Sequence, residues 1–125
     1  MFDIVYVRFD IMKKRLISSY DEENDTFLGK VDGENGYVAD YWISDEVYLG
    51  INNSNLPTSV FVSNASEVLN ASKSVLESSD VKIDIDCDER SLTFRMCIED
   101  LLVFSTICRN SFGIPSLSYS IDSNI

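Results

Sequence analysis

The chain has 125 residues and a formal net charge of −11 at pH 7. That length suits a single domain, 1–125, and a chain of this size can bury about two thirds of its unfolded surface and so can fold without a metal or a disulfide. A hydrophobic fraction of 45%, with seven phenylalanines, six tyrosines and one tryptophan, excludes intrinsic disorder.

The acid is unevenly spread. Residues 1–30 carry six acids and five bases, and residues 31–125 carry fifteen acids and five bases. Such a field disfavours a phosphate backbone and anionic lipid, and it favours a basic protein partner. No apolar run approaches the roughly 20 residues of a membrane span. The amino terminus, MFDIVY, lacks the basic start of a secretory signal. The Asn-x-Ser/Thr triplets at Asn24, Asn52, Asn64 and Asn70 then read as chance matches. Cys87, Cys97 and Cys108 form no C-x-x-C pair, which predicts reduced thiols and a cytoplasmic location.

In chain order, residues 2–11, FDIVYVRFDI, predict a first strand from their β-branched and aromatic content. Residues 13–26 are polar and read as loop. Residues 27–31 predict a short strand, Asp32-Gly33 and Asn35-Gly36 are turn signals, and 37–43 resume an apolar pattern. Ser44-Asp45-Glu46 has the form of a helix start, with Ser44 as N-cap and Val47, Tyr48 and Ile51 behind it. Residues 58–63, TSVFVS, predict a strand. Asn64 and Glu67 match a capping box ahead of Val68, Leu69, Val75 and Leu76 at helical spacing, which predicts one main helix over 65–78.

From Val81 to Cys108 the pattern is a β-meander. A two-residue turn at Glu89-Arg90 sets Asp88 opposite Ser91, Ile85 opposite Phe94, Ile83 opposite Met96 and Asp84 opposite Arg95. A second turn at Glu99-Asp100 sets Met96 opposite Val103 and Phe94 opposite Ser105. One face then collects Val81, Ile83, Ile85, Cys87, Leu92, Phe94, Met96, Ile98, Leu101, Val103 and Ile107 as core. The other holds Lys82, Asp84, Asp86, Thr93, Arg95, Cys97, Leu102, Phe104 and Thr106. A last strand follows over 117–121. The predicted fold is α+β: a mostly antiparallel β-sheet of five or six strands with one main helix packed on it.

Asp84, Asp86 and Asp88 alternate in VKIDIDCDER and raise the question of a metal. An EF-hand loop starting at Asp84 needs Gly where Glu89 stands and Glu where Arg95 stands. A pleated strand also spreads alternate side chains roughly 7 Å apart, too far to close on one ion. No metal and no cofactor is expected. The chain has no histidine, which removes the usual neutral-pH base and the Ser-His-Asp and Cys-His systems. No phosphate loop and no marked carboxylate pair appears, so an enzyme is not expected. The acidic strand face is either solvated, covered in part by a helix, or a contact patch with Phe104 and Leu102 beside the acids.

Residues 37–63, YVADYWISDEVYLGIN and then LPTSVFVS, resemble a pattern in immunity proteins of bacterial contact-dependent growth inhibition and related polymorphic toxin systems. The resemblance rests on the aromatic-Trp pair Tyr41-Trp42, the acidic step Asp45 and Glu46, Tyr48, and the strand from Ser59 to Ser63; residues 27–31 match the strand ahead of it. It implies a small acidic cytoplasmic protein, monomer or weak dimer, that binds a cognate toxin and binds neither nucleic acid nor membrane. The implied target is a basic nuclease-type toxin domain, blocked by occlusion: carboxylates stand where phosphates would, with an aromatic anchor.

The contact residues come from the sequence itself. One candidate group is Asp84, Asp86, Asp88 and Glu89 with Phe104 as anchor; the other is Asp40, Trp42, Asp45, Glu46 and Tyr48, where core packing competes for Trp42 and Tyr48. Two rival readings are a secretion chaperone of type III effectors and a nucleic-acid mimic. The first calls for helices at both chain ends, the second for acids spaced over a whole face.

Overall fold

The computed structural model describes residues 12–78, 80–111 and 113–120. The strand predicted over 2–11 and the last residue of that predicted over 117–121 lie outside them. The described strands are β1 (Met12–Asp21), β2 (Thr26–Val31), β3 (Ala39–Trp42), β4 (Val47–Ile51), β5 (Pro57–Val62), β6 (Val81–Cys87), β7 (Ser91–Ile98), β8 (Leu101–Arg109) and β9 (Leu117–Ser120). Two short helices, α1 (Ala65–Val68) and α2 (Lys73–Ser78), connect β5 to β6. The strands form one sheet in the order β3-β4-β5-β2-β1-β9-β6-β7-β8. Every neighbouring pair is antiparallel except β1 with β9.

The sheet wraps around one core, and β1 carries the wrap. Its first part, Met12 to Arg15, pairs with β9, and its second, Leu16 to Asp21, pairs with β2. The two halves of the sheet thereby face each other across a single cluster that includes Leu16, Phe27, Leu49, Val60, Ile83, Ile85, Leu92, Phe94 and Met96. Ala65 of α1, Leu69 just after it, and Leu76 of α2 join that cluster.

Of residues 13–26, expected as loop, only 22–25 form a turn; 13–21 belong to β1 and Thr26 opens β2. Leu16 and Tyr20 point inward, and a ladder to β9 along the first part and to β2 along the second outweighs weak strand propensity. The basic stretch is met by acids: Lys14 Nζ lies 3.0 Å from Glu34 Oε2, and Arg15 Nη1 lies 4.0 Å from Asp32 Oδ2.

The helix expected to open at Ser44 is a hairpin instead. Val47, Leu49 and Ile51 alternate inward at strand period, and the Ile43 amide bonds the Val47 carbonyl at 2.8 Å across the turn. The single main helix over 65–78 is two pieces. Asn70 adopts φ 50°, left-handed backbone that ends a helical run. The capping box is absent as well: Asn64 is itself left-handed and makes no side-chain cap. Asp25, from the β1–β2 turn, caps α1 from outside, accepting the Ser66 amide at 2.9 Å and the Ser66 hydroxyl at 2.6 Å.

The first meander hairpin has the expected register, with Asp84 opposite Arg95 and Ile85 opposite Phe94. The second departs from it. Leu101 and Leu102 pair with Ile98 and Cys97, but a bulge then sets Phe104 opposite Met96 and Thr106 opposite Phe94. One extra residue reverses every later side chain. Phe104 and Cys108 turn to the core and Ile107 to solvent, where it is 70% exposed.

Candidate protein-binding face

The outer face of the β3-β4-β5-β2 half carries an unbroken cross-strand row. Trp42 pairs with Tyr48, Tyr48 with Phe61, and Phe61 with Leu28. The Trp42 and Tyr48 ring centroids are 4.5 Å apart with the planes tilted by 37°, and those of Tyr48 and Phe61 are 4.8 Å apart and stacked. Strand alternation produces it: Tyr41, Val47, Leu49, Val60 and Val62 take the inward positions and leave the aromatics outward. Trp42 is 55% exposed and Leu28 43% exposed, so the ladder faces solvent rather than core.

The next row runs Asp40, Gly50, Ser59, Lys30 and Ile17. A Cβ at Gly50 would lie 2.5 Å from Ser59 Oγ and 3.6 Å from Tyr37 Cδ1, which marks where the Tyr37 ring rests on the sheet. Three bonds fix the segment that carries Tyr37. The Val38 amide donates to the Ile51 carbonyl at 2.7 Å, Thr58 Oγ1 lies 3.1 Å from the Gly36 carbonyl, and Asn52 Nδ2 donates to the Asn35 carbonyl at 3.2 Å. The Tyr37 hydroxyl donates to Asp40 Oδ1 at 2.9 Å. That bond, with partial burial and the Asp40 charge, raises the Tyr37 phenol above its ordinary value. Burial and then the same carboxylate raise Tyr48 too. Beside this row lies an open groove of about 490 Å³ lined by Leu28, Lys30, Glu34, Asn35, Gly36, Tyr37, Thr58 and Ser59.

Of the second candidate group, Asp40, Trp42 and Tyr48 therefore share one face, and Asp45 is exposed in the β3–β4 turn beside it. Glu46 is engaged elsewhere: its carboxylate accepts from the Ser63 hydroxyl and from Asn64 Nδ2 at 3.1 Å. Core packing expected for Trp42 does not hold, because it occupies an outward position of β3. Tyr37, Phe61 and Leu28 were not singled out by sequence; the outward period of residues 59–63 and 28–30, set beside that of 40–42, was the available signal.

The first group is not a unit. Phe104 lies on the opposite side of its sheet from Asp84 and Asp86, against Phe94 with ring centroids 6.0 Å apart. Asp86 takes the guanidinium of Arg95, which stands opposite Asp84 in register. Asp84 lies 3.9 Å from Lys82 Nζ. Asp88 closes the β6–β7 turn, accepting the Ser91 amide at 2.7 Å and the Arg90 amide at 2.8 Å, and those bonds lower its pKa. Glu89 is exposed in that turn. Lys82, Asp86 and Leu102 on this face are exposed, so the expected helix cover is absent over them.

No family model, curated protein or solved structure matches this chain. The face is read on its own chemistry. Among the described residues no group of three or more His, Cys, Asp or Glu is placed to hold a metal, and no helix is long and apolar enough to cross a membrane. A flat aromatic row, a groove and a carboxylate rim can bury apolar area while attracting a basic surface.

Proposed function

We propose that the protein is an immunity-type inhibitor that binds a basic, nuclease-type toxin domain in the cytoplasm and occludes its active site, without catalysis and without a cofactor. The outward ladder of exposed Trp42 and half-buried Tyr48 and Phe61 carries this reading. Stacked aromatics on an outward sheet face leave apolar area in water that a partner removes. The net charge of −11 supplies long-range attraction to a basic partner and speeds encounter. The segment that resembles immunity proteins, residues 37–63, spans β3, β4 and β5, which hold all three rings. The interface is accordingly the Trp42 face with Asp40 and Asp45 on its rim, in preference to the Asp84–Glu89 face, where Asp84, Asp86 and Asp88 already have partners within the chain.

The test is capture of partners on the tagged protein from its native cell, with washes at rising salt. Stoichiometric retention of one basic toxin domain, lost on Trp42→Ala and kept on Asp84→Lys with Asp86→Lys, is the expected result. The reverse pattern moves the interface to β6. A dimer wrapping an extended effector segment, or inhibition of a DNA enzyme lost only when acids across both faces are neutralised, replaces the reading with the chaperone or the nucleic-acid mimic.

A further inference from the structure

We infer that the Trp42–Asp40 end of this face seats a single arginine side chain of the partner protein, an inference that rests on the binding reading above. β3 is the terminal strand of the sheet order, so no strand among the described residues lies beyond Trp42 on that side. A tilted contact with Tyr48, ring centroids 4.5 Å apart, braces the indole on its inner side, and more than half of the Trp42 surface stays exposed. Asp40 is two residues back on the same strand face, roughly 7 Å along a pleated strand. Its Oδ1 is held by the Tyr37 hydroxyl, which orients the carboxylate, and its Oδ2 has no hydrogen-bond partner among the described residues. The nearest lysine in that row, Lys30, is three strands away, on the order of 14 Å at the usual strand spacing.

An aromatic plane with an oriented carboxylate at its margin discriminates among cations. A guanidinium is planar and weakly hydrated; it lies flat on an indole while its in-plane N–H groups reach a carboxylate beside the ring. An ammonium is compact and strongly hydrated, and it meets one of the two groups at a time. Citrulline keeps the shape and the plane of arginine and lacks the charge. The site therefore ranks arginine above lysine and both above citrulline.

The chain has one tryptophan, so its indole N–H gives a single isolated resonance in a ¹⁵N-labelled sample. The experiment titrates three glycine-flanked peptides that differ only in a central arginine, lysine or citrulline. The expected result is movement of the indole resonance with arginine at concentrations several-fold lower than with lysine, and little movement with citrulline. Asp40→Asn, a surface change that keeps the shape, weakens the arginine response several-fold and leaves the citrulline response unchanged. Equal responses to arginine and citrulline overturn the inference, as does indifference to Asp40→Asn or the absence of any response. Trp42→Ala in the partner capture tests the parent reading separately. Capture lost there, with arginine and citrulline equivalent, removes the arginine seat and keeps the binding face. Capture unaffected there takes the interface off this face and overturns the partner's arginine as its occupant, even where the peptides show arginine preferred.

Discussion

Tyr41 and Cys108 meet at 3.6 Å between hydroxyl and Sγ, although β3 and β8 stand at opposite ends of the nine-strand order. The same hydroxyl accepts the Ser111 amide at 3.2 Å. One buried phenol thus ties the two ends of the wrapped sheet. Tyr41→Phe keeps the ring and leaves the Ser111 amide without its protein acceptor, and is expected to cost about 1 kcal/mol. Urea unfolding of the two proteins measures it; an unchanged midpoint would mean that the contact contributes nothing to closure.

Asp25 joins two elements, β1 and α1, by its carboxylate. It accepts from the Tyr20 hydroxyl of β1 at 2.6 Å and from the Ser66 amide and hydroxyl of α1. Burial opposes the anion, but the hydrogen bonds from Ser66 and Tyr20, with Lys73 nearby, outweigh it and hold the pKa below its ordinary 3.8. A lowered carboxylate contributes stability that is present above the ordinary value and lost as pH falls through the folded one. Asp25→Asn suits the left-handed backbone at φ 52° and removes the charge. It is expected to cost about 1 kcal/mol at neutral pH, with the gap to the parent closing below about pH 4. Denaturant curves at pH 7 and pH 3.5 check both parts.

The β6–β7 hairpin was legible because period and turn agree: alternate apolar residues, a two-residue turn and the Asp84–Arg95 juxtaposition all require one register. The β7–β8 hairpin obeyed the same logic for two pairs, and then the bulge inserted a residue that no local pattern announced. Strand β1 was unreadable for another reason. Its inward residues are few, and its support comes from β2 and β9, elements distant in sequence. The ladder was half visible: Trp42 and Tyr48 stood out as residue types, but Phe61 and Leu28 join them only through registers between strands.

The bulge makes a direct prediction. Phe104 lies partly buried against Phe94, whereas Leu102 is more than half exposed on the other face. Phe104→Ala is expected to cost about 2 kcal/mol, short of a fully buried ring, and Leu102→Ala to stay within about 0.5 kcal/mol. Thermal unfolding of both variants decides the register. Equal losses, or a larger loss at Leu102, would restore the unbulged pairing.

Cys87 lies on the core side of β6, and burial, with Asp86 next, pushes its thiol from 9.0 up to about 12. The neutral thiol is the form the fold accepts. A raised pKa contributes stability that is fully present below the unfolded value and lost as pH rises through the folded one. Tyr20, raised to about 12 by burial and then by Asp25, acts in the same direction. Stability is therefore expected to fall between about pH 9 and pH 12. Iodoacetamide at pH 8.5 should alkylate Cys87 far more slowly in the native protein than in urea. Equal rates by peptide mass mapping would refute the burial.

Gly50 governs the binding face by the absence of its side chain. A methyl there meets Ser59 Oγ at 2.5 Å and Tyr37 Cδ1 only at ordinary contact distance, 3.6 Å. Gly50→Ala alone is therefore expected to cost about 1 kcal/mol through overpacking, and Ser59→Ala in the same chain to recover most of it by removing the clashing oxygen. Gly50→Val is different. Its extra methyls reach toward the Tyr37 ring, so Ser59→Ala does not relieve the conflict. Tyr37 then leaves the sheet and Asp40 loses the hydroxyl that orients it. Unfolding curves should show rescue for the alanine pair and none for the valine pair. Peptide titrations on the folded valine variant should show the arginine preference reduced with Trp42 still in place. If the preference survives at full strength, Tyr37 is not the residue that aims Asp40.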